Sequence, residues 1–198
     1  MKRFSFLIAF SVLSFICMFK LNQANAQGLG GRIGVSLANI VGDDASDDNA
    51  IRTGLTIGGY GTLDLSEQLA IQPEVFYTQR GASDDEIDDL VTALDYIDVN
   101  ILARYSFMER TEGFYAVAGP QIGILAIAEN RSDDDDVDIS DNISGIDFGL
   151  QVGVGYRLDS GFLIDARFNP GLSTVPDTDA DVSSSNQAIL VTLGYALQ

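Results

Sequence analysis

The sequence lacks the side chains on which most small enzymes depend. Its 198 residues contain no histidine, no tryptophan and a single cysteine. The cysteine is Cys17, which lies in an N-terminal segment that we expect to be removed, so neither disulfides nor thiol chemistry is expected in the mature chain. The absence of histidine excludes Ser-His and His-Asp arrangements for catalysis. A mechanism based on carboxylates alone has no positive support, and we interpret the chain as a non-enzyme.

The first 26 residues have the parts of a secretory signal peptide. Lys2 and Arg3 give a positive start, residues 4–19 are an apolar run, and residues 24–26 read Ala-Asn-Ala, a typical cleavage site. We predict cleavage before Gln27. An N-terminal membrane anchor is the alternative, but the apolar run is shorter than the roughly 20 residues that a spanning helix needs.

The mature chain has no lysine and a large excess of acid. Loss of Lys2, Arg3 and Lys20 changes the formal net charge from −18 to −21. A chain this acidic would be repelled by nucleic acid, so we expect no nucleic-acid partner. No apolar run after residue 26 is long enough for a spanning helix. Residues 27–198 suit one domain, which is either a soluble β-sandwich or barrel or a membrane β-barrel.

Strict alternation of apolar and polar residues is the clearest pattern in the sequence. In residues 147–158 every second residue is Phe, Leu, Val or Tyr, and residues 162–169 repeat the pattern. Because successive side chains of a strand point to opposite faces, each segment has one apolar and one polar face. The three residues between them, Asp159, Ser160 and Gly161, predict a tight turn and therefore an antiparallel hairpin.

The same alternation recurs along the chain and predicts eight strands. They cover residues 31–40, 51–63, 69–81, 94–106, 114–128, 147–158, 162–169 and 187–197. The connections between them alternate between long and short, which puts four long loops on one rim and three short turns on the other. Outer-membrane barrels have this asymmetry. The sequence therefore predicts an all-β fold, an eight-stranded antiparallel up-and-down transmembrane β-barrel.

Charge and aromatic placement predict which face meets lipid. Tyr105, Tyr156 and Tyr195 lie on the apolar face near the short turns, as an interfacial girdle requires. Buried charges must be paired, and the forked guanidinium of arginine suits that better than lysine. The polar face is predicted to carry an ion-pair network that fills the lumen, formed by Arg32, Arg52, Glu74, Arg80, Asp98, Arg104, Asp147, Arg157, Asp165 and Arg167. A soluble lipocalin-like ligand-binding barrel, with the apolar face inside, is the alternative.

The four long loops hold 19 of the 29 acidic residues. Solvated loops whose charge keeps them in water are the simplest interpretation. Carboxylates also suit Ca²⁺ or Mg²⁺, and Asp134, Asp136 and Asp138 have the spacing that opens a calcium loop, although the glycine and the closing glutamate are missing. A third interpretation is an extracellular partner, whose identity the loop sequences do not indicate.

Several motifs resemble a known family. They are residues 72–81 (QPEVFYTQRG), 96–99 (YIDV), 118–123 (AGPQIG), 165–172 (DARFNPGL) and 193–195 (LGY). They resemble the small outer-membrane β-barrel, porin-like family common in Bacteroidetes and their relatives. The resemblance implies the outer membrane of a Gram-negative bacterium and the barrel fold, and little about activity. Such barrels often end on an aromatic residue, whereas this chain ends Ala196-Leu197-Gln198.

We therefore predict a structural or surface-interaction role for a monomeric barrel in contact with outer-membrane lipid. A narrow porin-like channel for small solutes is the alternative. Eight strands enclose a space just wide enough for side chains to fill it, so with six arginines pointing inward we expect little conduction.

Overall fold

Eight long antiparallel strands make up most of the molecule. The computed structural model describes residues 26–43, 45–46, 49–84, 90–108, 112–132, 136–175 and 184–197. The predicted signal peptide lies outside these ranges except for Ala26. The long strands are β1 (Ala26–Val41), β2 (Arg52–Asp64), β3 (Leu69–Asp84), β4 (Val91–Ser106), β5 (Gly113–Arg131), β6 (Ile146–Arg157), β7 (Phe162–Pro170) and β8 (Ser185–Ala196). The short strands Asn49–Ala50 and Asp136–Asp138 pair with the outer ends of β3 and β5, respectively. Ser140–Asn142 forms one turn of 3₁₀ helix.

Each long strand pairs with the next along the chain, and the sheet closes on itself. β1 pairs with β8 from Gly30 opposite Ala196 to Val41 opposite Ser185, which leaves no free edge in the ring of long strands. All eight pairings are antiparallel. The predicted eight-stranded up-and-down barrel is confirmed. No helix of the described residues is long and apolar enough to cross a membrane.

Several strands are longer than the alternation predicts. β3 ends at Asp84 instead of 81, β4 begins at Val91 instead of 94, and β5 ends at Arg131 instead of 128. The predicted acidic loops that follow residues 81 and 128 therefore begin as paired strand. The reason is that ladder hydrogen bonds continue for as long as two backbones run side by side, whereas the apolar alternation ends where the outward face no longer meets an apolar medium.

The turn between β6 and β7 has the predicted geometry. The N–H of Leu158 donates a hydrogen bond of 2.8 Å to the carbonyl of Phe162. The N–H of Gly161 donates one of 2.9 Å to the carbonyl of Leu158. Gly161 has φ of 90°, in the left-handed region that glycine adopts without a Cβ clash. This three-residue connection with a final glycine is a common hairpin loop.

The apolar face of the strands points outward and the charged face inward. Phe148, Val154 and Leu193 have between 51% and 62% of their surface exposed, whereas Arg80 and Glu74 have at most 1%. The outward apolar set includes Ile33, Val35, Leu55, Ile57, Ile101, Ile122, Ile124, Phe148, Leu150, Val152, Val154, Ile164, Phe168, Ile189, Val191 and Leu193. A barrel with a polar interior and an apolar exterior is arranged for lipid outside, which disfavours the lipocalin-like alternative.

Inward-facing glycines make room for aromatic rings within this narrow interior. A Cβ added at Gly30 would overlap the ring of Tyr60, and one added at Gly155 would overlap the ring of Tyr115. Both rings are almost completely buried. The hydroxyl end of each tyrosine ring therefore lies against a glycine, and the two rings fill the lumen near the short-turn end.

Candidate functional site

Glu74 is the centre of the largest polar cluster in the lumen. Its carboxylate accepts hydrogen bonds from Arg32 Nη1 at 2.8 Å and from Arg167 Nη1 and Nη2 at 2.7 and 3.2 Å. Gln72 Nε2 donates at 2.6 Å and Asn100 Nδ2 at 3.3 Å. Glu74 lies on β3, Arg32 on β1 and Arg167 on β7, so this carboxylate connects strands that are not neighbours in the barrel.

Asp165 is the second carboxylate of the same cluster. It accepts two hydrogen bonds from Arg167, both 3.1 Å long. It also accepts one from Thr192 Oγ1 at 2.7 Å and one from the Tyr115 hydroxyl at 3.0 Å. Arg32 Nε lies 3.3 Å from the same carboxylate. Two arginines and two carboxylates are thus held together with nearly complete burial, which is the condition under which buried charges are tolerated.

A second cluster lies closer to the long loops and is centred on Arg80. Its guanidinium forms ion pairs with Asp98 and, over 2.7 Å, with Asp147. Gln121 Nε2 donates to Asp98 over 2.9 Å, and Ser173 Oγ donates to Asp147 over 2.7 Å. The Arg80 guanidinium also lies 4.9 Å from the centre of the Tyr96 ring. A serine of the last long loop is in this way connected to the lumen.

Arg52 pairs with Asp95, a residue that sequence reasoning did not include. The two groups are 3.1 Å apart, and Asp95 also accepts a 2.5 Å hydrogen bond from the Tyr77 hydroxyl. Alternation from Ile97 places Asp95 on the apolar face. The ladder between β4 and β5 shifts register between Asp95 and Tyr96, and Asp95 is fully buried. The sequence did offer one signal for this residue, which is an acidic side chain among the apolar positions near the outer end of the strand.

In the structure, eight of the ten predicted network residues fall into three groups of ion pairs, and two arginines lie outside these groups. Eight of the ten form the ion pairs just described: Arg32, Arg52, Glu74, Arg80, Asp98, Asp147, Asp165 and Arg167. Arg104 stacks on Tyr115, with its guanidinium 4.1 Å from the ring centre. Arg157 is buried but makes no ion pair with any carboxylate of the described residues.

Little space remains between the clusters. An internal cavity of about 10 Å³ lies between the Glu74 cluster and Asp98. A cavity of this size holds about one water molecule. Its polar walls include the orphaned Arg32 Nη2 and Asn100 Oδ1, which have no hydrogen-bond partner among the described residues. A single bridging water fits this site, and a continuous water column does not.

Apolar side chains close the lumen at the long-loop end. Leu94, Tyr96, Ala128 and Val175 form a buried cluster, with Ile143 packed against it. Two of these residues come from loops, and the loops are held by backbone hydrogen bonds such as the one from the N–H of Ser144 to the carbonyl of Val175, 2.9 Å long. The lumen is therefore covered at its outer end as well as filled along its length.

Exposed aromatic residues form a band on the outside of the barrel near the short turns, from the end of β4 to β8. Three edge-to-face pairs form it: Tyr105 with Phe107, Phe114 with Tyr156, and Phe162 with Tyr195, with ring centres 5.4, 4.8 and 5.1 Å apart. Amphipathic tyrosine rings at this level fit the boundary between lipid and water.

The predicted calcium-loop residues are only partly described. Asp134 lies outside the described residues. Asp136 and Asp138 are exposed on the short strand beside β5, and Asp138 Oδ1 accepts hydrogen bonds from Ser140 N at 2.8 Å and Ser140 Oγ at 2.6 Å. These two bonds hold the pKa of Asp138 below its usual value. Within the described ranges no group of three His, Cys, Asp or Glu side chains is placed to hold a metal ion.

Comparison with known proteins gives the class to which this barrel belongs. The sequence model of the family described as "Outer membrane protein beta-barrel domain" matches residues 22–176. The chain therefore belongs to this family and is an outer-membrane protein of a Gram-negative bacterium. The narrower resemblance to barrels of Bacteroidetes stays a prediction. No curated protein matches the sequence.

Solved structures with the same fold include two small surface barrels. Neisserial surface protein A has a TM-score of 0.53 and 12% sequence identity, and the match covers 85% of this chain and 96% of that one. Ail, the attachment invasion locus protein of Yersinia pestis, has a TM-score of 0.51 and 15% identity, with 87% of this chain and 99% of that chain covered. At these identities the likeness shows the fold alone.

Proposed function

We propose that this protein is a non-conducting, non-catalytic barrel that anchors acidic loops at the cell surface, where they interact with a partner that carries positive charge. The filled lumen is the observation that carries the proposal. Three groups of buried ion pairs, a cavity of about 10 Å³ and an apolar cover at the outer end leave no path for solutes along the described part of the barrel. What remains available for function is the outer surface and its loops.

Planar-bilayer recording tests the non-conducting part. We expect no stable conductance from the mature protein after insertion, which co-sedimentation with lipid vesicles verifies, while a large porin recorded in parallel supplies the positive control. A stable conductance of nanosiemens would refute the filled lumen and favour the narrow-channel alternative.

The charge of the loops indicates the chemistry of the partner. Four loops with 19 acidic residues attract cationic surfaces and repel polyanions. Ail has been crystallised with a heparin analogue, sucrose octasulfate, which is a polyanion. We do not extend that ligand class to this chain, because its loops carry the same sign of charge as the sulfates.

Binding of vesicle-reconstituted protein to polylysine-coated and heparin-coated sensors tests the surface role. We expect binding to polylysine that weakens as salt rises, and none to heparin. Replacing Asp136, Asp138 and Asp141 by Asn reduces the loop charge without touching the lumen, so this variant should bind polylysine less tightly. Equal or tighter binding to heparin would overturn the proposed partner chemistry.

Divalent cations are the other ligands that suit carboxylates, and a Ca²⁺ or Mg²⁺ site at Asp134, Asp136 and Asp138 is the alternative hypothesis for the acidic loops. Isothermal titration of the mature barrel with Ca²⁺ tests it. We expect no heat, because Asp138 Oδ1 already accepts two hydrogen bonds and the loop lacks the glycine and glutamate of a calcium loop. Heat that is lost in the variant with Asn at positions 136 and 138 would instead assign a cation site.

A further inference from the structure

A wide groove crosses the outer surface of the barrel close to the short turns. Its volume is about 750 Å³, which lies within the range of sites that bind small molecules. It extends over five neighbouring strands, from β6 through β7, β8 and β1 to β2. Its walls are apolar side chains, and its lining includes three glycines that offer only backbone atoms, namely Gly31, Gly58 and Gly194.

The strand register shows which outward positions are empty. One row of outward side chains runs directly across the five strands and consists of Ile57, Ile33, Leu193, Ile164 and Tyr156. In the next row towards the short turns, Phe162 lies opposite Tyr195, and Tyr195 lies opposite Gly31. Gly31 in turn lies opposite Gly59. The aromatic band of the exterior therefore ends at two positions without side chains, and the groove lies over the first of them.

Neither the backbone nor the packing of the chain requires glycine at these two positions. Neither Gly31 nor Gly59 has φ in the left-handed region. A Cβ added at Gly31 would lie 3.6 Å from its nearest neighbour, and one added at Gly59 would lie 3.5 Å away, which are ordinary contact distances. Gly30, which faces the lumen, has no such room because of the Tyr60 ring. What glycine provides at 31 and 59 is therefore space on the outer surface.

The position of the groove indicates what fills it. The chain belongs to an outer-membrane family, and the short turns of such barrels face the periplasm, so the groove opens to the periplasmic leaflet of the membrane. The short turns at its two ends, residues 64–68 and 159–161, contain no lysine or arginine but three acidic residues, Asp64, Glu67 and Asp159. An acidic rim favours a lipid head group with a positive charge and repels an anionic one.

We propose that this groove binds an acyl chain of one phospholipid from the periplasmic leaflet, whose ammonium head group lies at the acidic turns. In a membrane every apolar surface is covered by lipid, so the hydrophobic effect does not favour one lipid over its neighbours. The difference is van der Waals packing. A chain over Gly31 contacts the backbone below it and the Ile33 and Tyr195 side chains beside it, whereas a chain on a flat part of the barrel has contacts on one side only. The barrel therefore retains this lipid while the neighbouring lipids exchange.

Native mass spectrometry of the mature barrel, released from a non-ionic detergent, tests the proposal. The delipidated barrel is titrated with phosphatidylethanolamine, which ends in an ammonium, or with phosphatidylglycerol, which is anionic and carries the same acyl chains. We expect a saturable complex with one phosphatidylethanolamine per barrel and lower occupancy with phosphatidylglycerol. Adducts with any number of lipids and no preference between the two head groups would overturn the proposal. A dimer that excludes lipid would also overturn it, because a second copy would then cover the groove.

Three variants connect the bound lipid to this groove. Gly31→Leu fills the groove from its floor and should abolish the one-lipid complex. Leu193→Ala removes part of the wall instead and should lower the occupancy, so the test does not depend on one substitution. Ala103→Leu is the matched control, because Ala103 is exposed on β4, two residues from Tyr105 and outside the groove. It should bind the lipid like the wild type.

Circular dichroism in the same detergent separates lipid binding from folding. We expect the spectrum of Gly31→Leu to equal that of the wild type, because a Cβ at this position meets no atom closer than 3.6 Å. Undiminished lipid binding by folded Gly31→Leu and Leu193→Ala would place the lipid elsewhere and overturn the proposal. An equal loss of binding in Ala103→Leu would do the same, because it would show that the lipid has no fixed position on the barrel.

Discussion

Replacing Glu74 by Gln tests whether the buried ion pairs hold the barrel together. The change keeps the size of the side chain but removes the negative charge that both Arg32 and Arg167 share. After it, Asp165 would be the one carboxylate left between two buried guanidiniums. Because breaking a buried pair leaves an uncompensated charge, we expect a loss of about 3–5 kcal/mol in the free energy of unfolding.

Denaturant unfolding from lipid vesicles measures this loss. The chain has seven tyrosines and no tryptophan, so far-ultraviolet circular dichroism is the suitable signal. Glu129→Gln is the matched control, because Glu129 forms an ion pair with Arg131 of the same kind but about one third exposed. Exposed pairs contribute about 0–1 kcal/mol, and the control should unfold almost like the wild type.

A double-mutant cycle with Arg167→Gln then isolates the pair. If Glu74 and Arg167 interact as their 2.7 Å distance indicates, the two changes together will cost less than the sum of the single changes, by about 0.5–3 kcal/mol. Two results would refute the reasoning. One is a loss below about 1 kcal/mol for Glu74→Gln, and the other is strict additivity with Arg167→Gln.

Two further predictions concern the two faces of the strands. Gly30→Ala should destabilise the barrel by about 1–3 kcal/mol because its Cβ would overlap the Tyr60 ring. Gly31→Ala should be tolerated, since the nearest atom to its Cβ is a backbone oxygen 3.6 Å away, and equal denaturation midpoints for the two variants would contradict the packing argument. Val152→Arg, at the middle of the outward face of β6, should cost about 2–4 kcal/mol in lipid, whereas Leu158→Arg at the short-turn rim should cost about 0–1 kcal/mol. Reversal of that order in vesicle-based unfolding would mean that the membrane boundary has been misplaced.

The alternation of apolar and polar residues was sufficient to predict which face of each strand points outward and that the strands form a barrel. Phe148 and Leu193 point outward and Glu74 points inward, as their parity predicts, because the side-chain period of a strand is fixed at two. The turn at Gly161 could be predicted for the same kind of reason, since local backbone geometry required it.

The partners within the lumen could not be predicted in this way. The odd or even position of a residue along its strand (its parity) gives the face to which it points. Its height in the barrel and its position around the barrel depend on the register of every strand pair that separates it from its partner. Arg167 and Glu74 are 93 positions apart in the chain and lie on opposite sides of the barrel. Asp95 shows the limit most clearly, because parity assigns it to the lipid face and yet it is fully buried and forms an ion pair with Arg52.

The polar lumen follows from the route of the chain as well as from its fold. Buried ion pairs are at best neutral compared with well-packed apolar residues, so stability alone would favour an apolar interior. β5, however, has 19 residues. If both of its faces were apolar, the strand would be an apolar run of the length that membranes accept as a spanning helix. A secreted chain of that kind would be retained in the inner membrane before it reached the outer one. Glycines and polar residues at inward positions prevent this, such as Gly119 and Gln121 in β5 and Glu74 in β3. In the closed barrel, the charged residues among them are paired mainly with one another. A lumen filled with paired arginines and carboxylates is therefore a consequence of crossing one membrane unfolded in order to span the next.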